Sequence, residues 1–298
     1  MKKIIVLSLI LLMIISCSTK SEKLIIGLIK PSLNHLPMEF GFETGDLNRE
    51  DYVIKYFSSG WETNEALAAG KVDAAILPFT YVWTDVAVGK KVKILSFLER
   101  ESDGIVAKKE IQNIADLDGK KIGVLRASTL DVFAEMFAIK HNLNLEFVYF
   151  RTPPDMAAAL SSGEVDALSY YVPSIFKFNK NFHILHWYSD DDHHHPCCNL
   201  AATEEAIASK KQNLKALLTG LKQSTDKLNN SPKVAFDAAQ EFFDLPLEYA
   251  KKSIYNTKYI LGLNEEGKNF EKKSIEQMIE KGYIKNLPNW DEIYFEIE

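Results

Sequence analysis

Short apolar runs alternate with amphipathic stretches along most of this chain. KLIIGLI (residues 23–29) is rich in isoleucine, lacks polar alternation and is ended by Pro31, as expected of a parallel strand buried on both faces. YVIKYF (52–57), VDAAIL (72–77, closed by Pro78) and VKILSF (92–97) read as three more strands, with helical composition at 65–69 that stops at Gly70. A second unit starts near Gly104. After the polar lead-in IADLDGKK (114–121) it gives strands at 121–125, 145–150 and 165–171, the last closed by Pro173, with helices at 129–141 and 155–162 between them. Strands alternating with helices imply crossover connections and a mostly parallel sheet. From Thr203 onward the pattern is mostly helical: Leu214, Leu217, Leu218, Leu221 and Leu228 share one face, Ser231-Pro232 reads as a helix start, Ala235, Phe236, Ala239 and Phe243 continue an apolar face, and Ile275, Met278 and Ile279 form a last stripe ended by Gly282.

The two units echo each other. ALAAGKVDAAILP (66–78) and ALSSGEVDALSYYVP (159–173) both give a helix end, a glycine stop, Val-Asp-Ala opening a strand and a closing proline. Glycine ends a helix by adopting the left-handed conformation. An aspartate at that turn can bond backbone groups, so Asp73 and Asp166 read as structural.

Lys2 and Lys3 precede an apolar run over residues 4–15 that is broken only by Ser8. A span needs about 20 apolar residues, so this run fits a secretory signal instead. IISC (14–17) resembles the lipobox of bacterial lipoproteins, with isoleucine where leucine is usual. It implies that residues 1–17 are a signal peptide and that Cys17 carries lipid, anchoring an exported protein to the cell membrane or its periplasmic face. The remaining chain is too long for one small core, so two lobes are expected. The net charge is −6 with no basic cluster, which argues against a nucleic-acid partner. Three cysteines, Cys17, Cys197 and Cys198, cannot build a disulfide framework.

The paired echo, together with SDGIVAKK (102–109), IADLDGKKIGVLRAST (114–129) and the helical SPKVAFDAAQEFFDLPLEYA, resembles the periplasmic solute-binding proteins of the nitrate, sulfonate, taurine and thiamine-pyrimidine group. The resemblance implies an α/β fold of the type II periplasmic binding class, with two α/β lobes, a hinge and a central cleft. It places lobe 1 at 23–103 and 196–298, with the C-terminal helices, and lobe 2 at 104–195, with hinges near 100–104 and 194–200. It further implies a monomer that hands a small-molecule solute to ABC permease and ATPase subunits, without cofactor or catalysis.

Ligands of open α/β sheets sit beyond the C-terminal strand ends. That rule selects Asn34 and His35 after the first strand, His35 being either a ligand contact or an exposed loop residue. It also selects Trp61 after the second strand, Phe79 and Thr80 after the third, and Tyr171 at the end of its counterpart. Arg126, Ser128 and Thr129 open a helix whose free N–H groups could meet an anion, or the two hydroxyls could simply cap that helix. DDDHHHPCC (190–198) offers His193, His195, Cys197 and Cys198 to a metal. However, adjacent side chains on an extended chain diverge, no Cys-x-x-Cys is present, and a polar crossover loop with His195 or Cys198 facing the cleft is the plainer expectation. The solute expected is a sulfonate, a nitrate-like anion or a pyrimidine or vitamin precursor. The alternatives are a thiamine-pyrimidine synthase-like enzyme on the same fold, or a metal-binding or sensor lipoprotein.

Overall fold

The structure, a computed structural model, describes residues 22–297, so the signal segment and Cys17 lie outside the described residues. The chain opens with β1 (Leu24–Ile29), β2 (Tyr52–Phe57), β3 (Ala74–Pro78) and β4 (Val92–Glu101). It then crosses to a second sheet made of β5 (Asp103–Lys108), β6 (Lys121–Leu125), β7 (Glu146–Phe150), β8 (Ala167–Tyr171) and β9 (Phe182–Trp187), and returns to the first sheet with β10 (Pro196–Thr203) and β11 (Thr257–Gly262). The first sheet has the order β11-β4-β10-β3-β1-β2 and the second β7-β6-β8-β5-β9.

Both sheets are mixed, which corrects the expectation of a mostly parallel one. β1 pairs in parallel with β2 and β3, and β6 with β7 and β8. The strands at the crossings run the other way: β10 is antiparallel to β3 and β4, and β5 to β8 and β9. The sequence pattern missed β9 and β10, and it absorbed β11 into the helical half. β11 holds one edge of the first sheet by pairing with β4.

Asp73 and Asp166 do equivalent work in the two sheets. Asp73 accepts from the Ile25 backbone N–H at 2.7 Å and donates its own N–H to the Ile25 carbonyl at 2.8 Å. Asp166 makes the same pair of bonds to Lys121, at 3.1 and 2.8 Å. Each carboxylate also meets an ammonium, Lys210 at 2.9 Å and Lys108 at 2.7 Å. The echo thus pins the start of β3 to β1 and the start of β8 to β6.

The apolar stripes of the C-terminal half are packing surfaces. Leu214, Leu217, Leu221 and Leu228 are buried along the helix Lys211–Asn230, as are Ile275 and Met278 along Glu265–Glu280. At Gly220 the first of these helices passes so close to the turn before β2 that a Cβ would lie 2.5 Å from the Asp46 carbonyl oxygen.

The two crossings are bound to each other. The Glu101 N–H donates to the His195 carbonyl at 2.9 Å, and the His194 N–H to the Glu101 carboxylate at 3.1 Å. Glu101, Ser102 and His194 have φ of 62°, 74° and 61°, left-handed values unusual outside glycine. Strain of this kind collects where a chain must turn sharply between two bodies.

Candidate functional site

A cavity of about 50 Å³ lies between the two sheets. Its walls are the C-terminal ends of strands and the starts of the helices that follow, as open α/β sheets require. Ser32 and Asn34 follow β1, Ser59 and Gly60 follow β2, and Tyr81 follows β3; Ser128 and Thr129 follow β6, Pro153 follows β7, and Tyr171 ends β8. Glu99, Ser102 and Asp103 enter from the first crossing, and Cys197 and Cys198 from the second. Apolar walls come from Ile29, Pro78, Leu125, Leu130 and Val172.

Local chemistry holds these groups in place. The Ser32 side chain accepts the Asn34 N–H, fixing the turn after β1, and the Tyr259 hydroxyl on β11 donates to the Leu33 carbonyl at 2.8 Å. Ser59 caps the helix Gly60–Ala68 through the Glu62 N–H at 3.2 Å. The Ser128 hydroxyl is spent on the Leu125 carbonyl at 2.7 Å and does not cap its helix. Ala127 takes φ of 59°, and its N–H is received by Asp131 at 2.8 Å.

The floor of the cavity is acidic and thiol-rich. Two residues of β10, Cys197 and Cys198, face one residue of β4, because the register moves from Pro196–Arg100 to Cys198–Glu99. This is a β-bulge, which breaks the alternation of side chains. It corrects the expectation that the two cysteines diverge: their Sγ atoms are 3.6 Å apart, and both line the cavity. Asn34 Nδ2 donates to Cys198 Sγ at 3.4 Å. Burial, then the nearby Asp103, pushes the Glu99 carboxyl up to about 8. Burial likewise pushes Asp103 up to about 7, and neither of its oxygens has a hydrogen-bond partner of normal geometry. Both thiols are raised too, Cys197 chiefly by its contact with Cys198 and Cys198 by burial. Among the residues lining the cavity, none is basic.

Of the residues expected from sequence, Asn34, Ser128, Thr129 and Tyr171 line this cavity. Cys197 and Cys198 line it as well, Cys198 as expected; the remaining candidates sit elsewhere. His35 is fully buried, neither exposed nor in the cavity wall; it packs edge-on to Phe243, and burial lowers its pKa to about 3. Trp61 is 43% exposed on the outer side of its helix, with the Arg151 guanidinium over its ring. Phe79 and Thr80 are buried in the first turn of the helix Phe79–Ala87. Arg126 is exposed and lies over Tyr149 and Tyr283. His195 is buried against Phe133 and lines a separate cavity of about 20 Å³, and His193 is exposed. Sequence reasoning missed Glu99, Ser102 and Asp103. The available signal was the run of charges at 99–103 between two apolar strands.

Comparison with known proteins fits this geometry. The NMT1/THI5-like family matches residues 53–235. The chain belongs to the NMT1/THI5-like family. That stretch of the NMT1/THI5-like chain includes the strand tips after β2, β3, β6 and β8 and both crossings. Among solved structures, the ligand-binding component of an ABC-type import system from Staphylococcus aureus, with zinc bound, superposes with a TM-score of 0.81 at 18% identity, covering 92% of this chain and 97% of that one. The alkanesulfonate-binding protein SsuA of Xanthomonas axonopodis pv. citri, bound to MOPS, gives 0.76 at 14% identity over 91% and 98%. The nitrate-binding protein NrtA of Synechocystis PCC 6803 gives 0.72 at 15% identity over 89% and 82%. A Brucella abortus protein described as a binding protein is 26% identical over 127 residues, 42% of this chain. The match spans only 40% of that relative's length.

Proposed function

We propose that this protein is the solute-binding component of an ABC importer, that it is exported and held at the membrane by lipid on Cys17, and that it acts as a monomer without catalysis. The observation that carries the reading is the cavity between two sheets joined by two crossings. Residues of both sheets line it, and closure by hinge motion would bury a solute there. The names of the structural neighbours, which bind solutes for import, support the same use of the fold.

The lining narrows the solute. The free space is far below the roughly 300–1,000 Å³ of a typical organic-ligand site, so the solute is compact. With two buried carboxyl groups and no basic side chain, the floor disfavours a bare oxyanion such as nitrate. It favours a solute that presents positive charge or several N–H donors to Glu99 and Asp103. A pyrimidine-type precursor meets that requirement better than a sulfonate does. The synthase-like alternative would need chemistry outside this cavity, because His35 and His195 are buried and neither lines it.

The test is a thermal-shift screen of the full-length chain against sulfonates, nitrate, aminopyrimidines, small amines and divalent metals. A solute that binds the native state raises the melting temperature with the logarithm of its concentration. Failure of every class, together with no co-purifying solute in native mass spectrometry, would overturn the reading.

A further inference from the structure

We propose that the floor of the cavity is a binding site for one thiophilic divalent cation of the zinc type, held by Cys197, Cys198 and Glu99. This rests on the solute-binding reading and names the cargo of that same site.

The geometry is the argument. Each of the three residues offers one donor atom, and these atoms lie within 4.8 Å of one another. Two sulfurs bound tetrahedrally at about 2.3 Å from one zinc ion stand about 3.8 Å apart. The Cys197 and Cys198 sulfurs are 3.6 Å apart, so an ion fits between them with small side-chain shifts. The bulge that makes two β10 residues face Glu99 aims all three donors at one point. Asn34 already donates an N–H to the Cys198 sulfur, the outer-shell contact that steadies a thiolate ligand.

A second observation is independent of the cluster. Asp103 is 1% exposed and faces the cavity with both carboxylate oxygens unpartnered. A buried carboxylate without a partner is costly, and a cation beside it removes that cost. A cavity of about 50 Å³ holds an ion with one or two waters. The other donor group of this kind among the described residues, His141, His186 and Asp191, is already closed: Asp191 accepts from both imidazoles and lies 3.2 Å from the Lys140 ammonium.

The experiment uses the full-length chain, stripped of metal with a chelator and kept reduced. Zinc ion is titrated in competition with a chromogenic chelator, and cobalt(II) alone serves as a spectroscopic probe. One zinc per chain is expected, with tetrahedral cobalt bands and thiolate-to-cobalt charge transfer. Cys198→Ser and Glu99→Gln should each weaken zinc by more than the roughly 10–100-fold that Asn34→Ala causes as an outer-shell change. Far-ultraviolet circular dichroism selects the variants that fold, and any one of the three suffices. Absence of a stoichiometric zinc site in the wild type, or zinc affinity unchanged in the folded variants, overturns the proposal. If an organic solute stabilises the same preparation while zinc does not, the metal inference falls and the importer reading stands. If neither binds, both fall.

Discussion

The Lys281 ammonium lies 2.9 Å from the buried carboxylate of Asp131 and 2.8 Å from Glu135. Lys281 follows the helix Glu265–Glu280, which belongs with the first sheet, whereas both acids sit on the helix Thr129–Lys140 of the second. The ion triad therefore clasps the two halves, with Asp131 one turn from Ser128 and Thr129 on the same helix. Lys281→Met should favour the open arrangement and weaken solute binding by about 1 kcal/mol, roughly fivefold, after allowance for partial exposure. Small-angle scattering should show a larger radius of gyration for the unliganded variant than for the wild type. Equal radii and equal affinities would show that the clasp does not hold the halves together.

The close passage at Gly220 leaves no room for a side chain. Gly220→Ala should cost about 1–3 kcal/mol of unfolding free energy, because the Asp46 carbonyl is backbone and cannot swing aside. Urea denaturation reads this directly. A neutral or stabilising outcome would mean that the helix Lys211–Asn230 can shift without penalty.

His35 should make the fold acid-sensitive. It is buried beside Asn34 and Phe243, with Glu39, Lys30 and Tyr56 as the charged and titratable groups near it. Its pKa is lowered from 6.5 to about 3, first by burial and then by Lys30. The unfolded chain therefore takes up a proton below about pH 6.5 that the folded chain refuses until about pH 3. The contribution of the neutral imidazole is complete above pH 6.5 and is lost progressively on acidification. Between pH 7 and pH 5 the wild type should lose about 2 kcal/mol more than His35→Gln does. Equal losses in urea melts at the two pH values would remove His35 as the cause.

Asp73 and Asp166 show what the sequence could reveal. The repeated Val-Asp-Ala after a glycine stop carried a physical meaning, a carboxylate at a turn with backbone N–H groups to receive, and both residues are found bonded in that way. Asp73→Asn and Asp166→Asn should each cost about 1–2 kcal/mol, read by thermal melts, since each keeps the shape but loses a charged acceptor for an ammonium and a backbone N–H. The helix start at Ser128 was legible from the polar pair after an apolar strand, although the Ser128 hydroxyl bonds back to the Leu125 carbonyl instead of capping.

The cavity floor was not legible, and the cause is also physical. Alternation says which side of a strand each residue takes only while register is kept. The bulge at Cys197 and Cys198 breaks register through pairing with β4, a strand about 100 positions earlier in the chain. The sequence pattern ended the fourth strand at Phe97, yet β4 continues through Glu101 and buries Glu99, and Asp103 is buried at the start of β5. Trp61 and Arg126 were assigned from chain position after a strand, which fixes the loop but not the direction of the side chain.

The most direct test of the account is Asp103→Asn, examined with whichever solute or metal stabilises the wild type. Asp103 has no hydrogen-bond partner of normal geometry to lose, so the unliganded variant should melt at or above the wild-type temperature at pH 7.5. Isothermal titration should then show binding weakened on the order of 10–100-fold, with one site per chain in the wild type. Unchanged affinity in a folded variant would mean that the solute does not sit between the two sheets, and the account would fail.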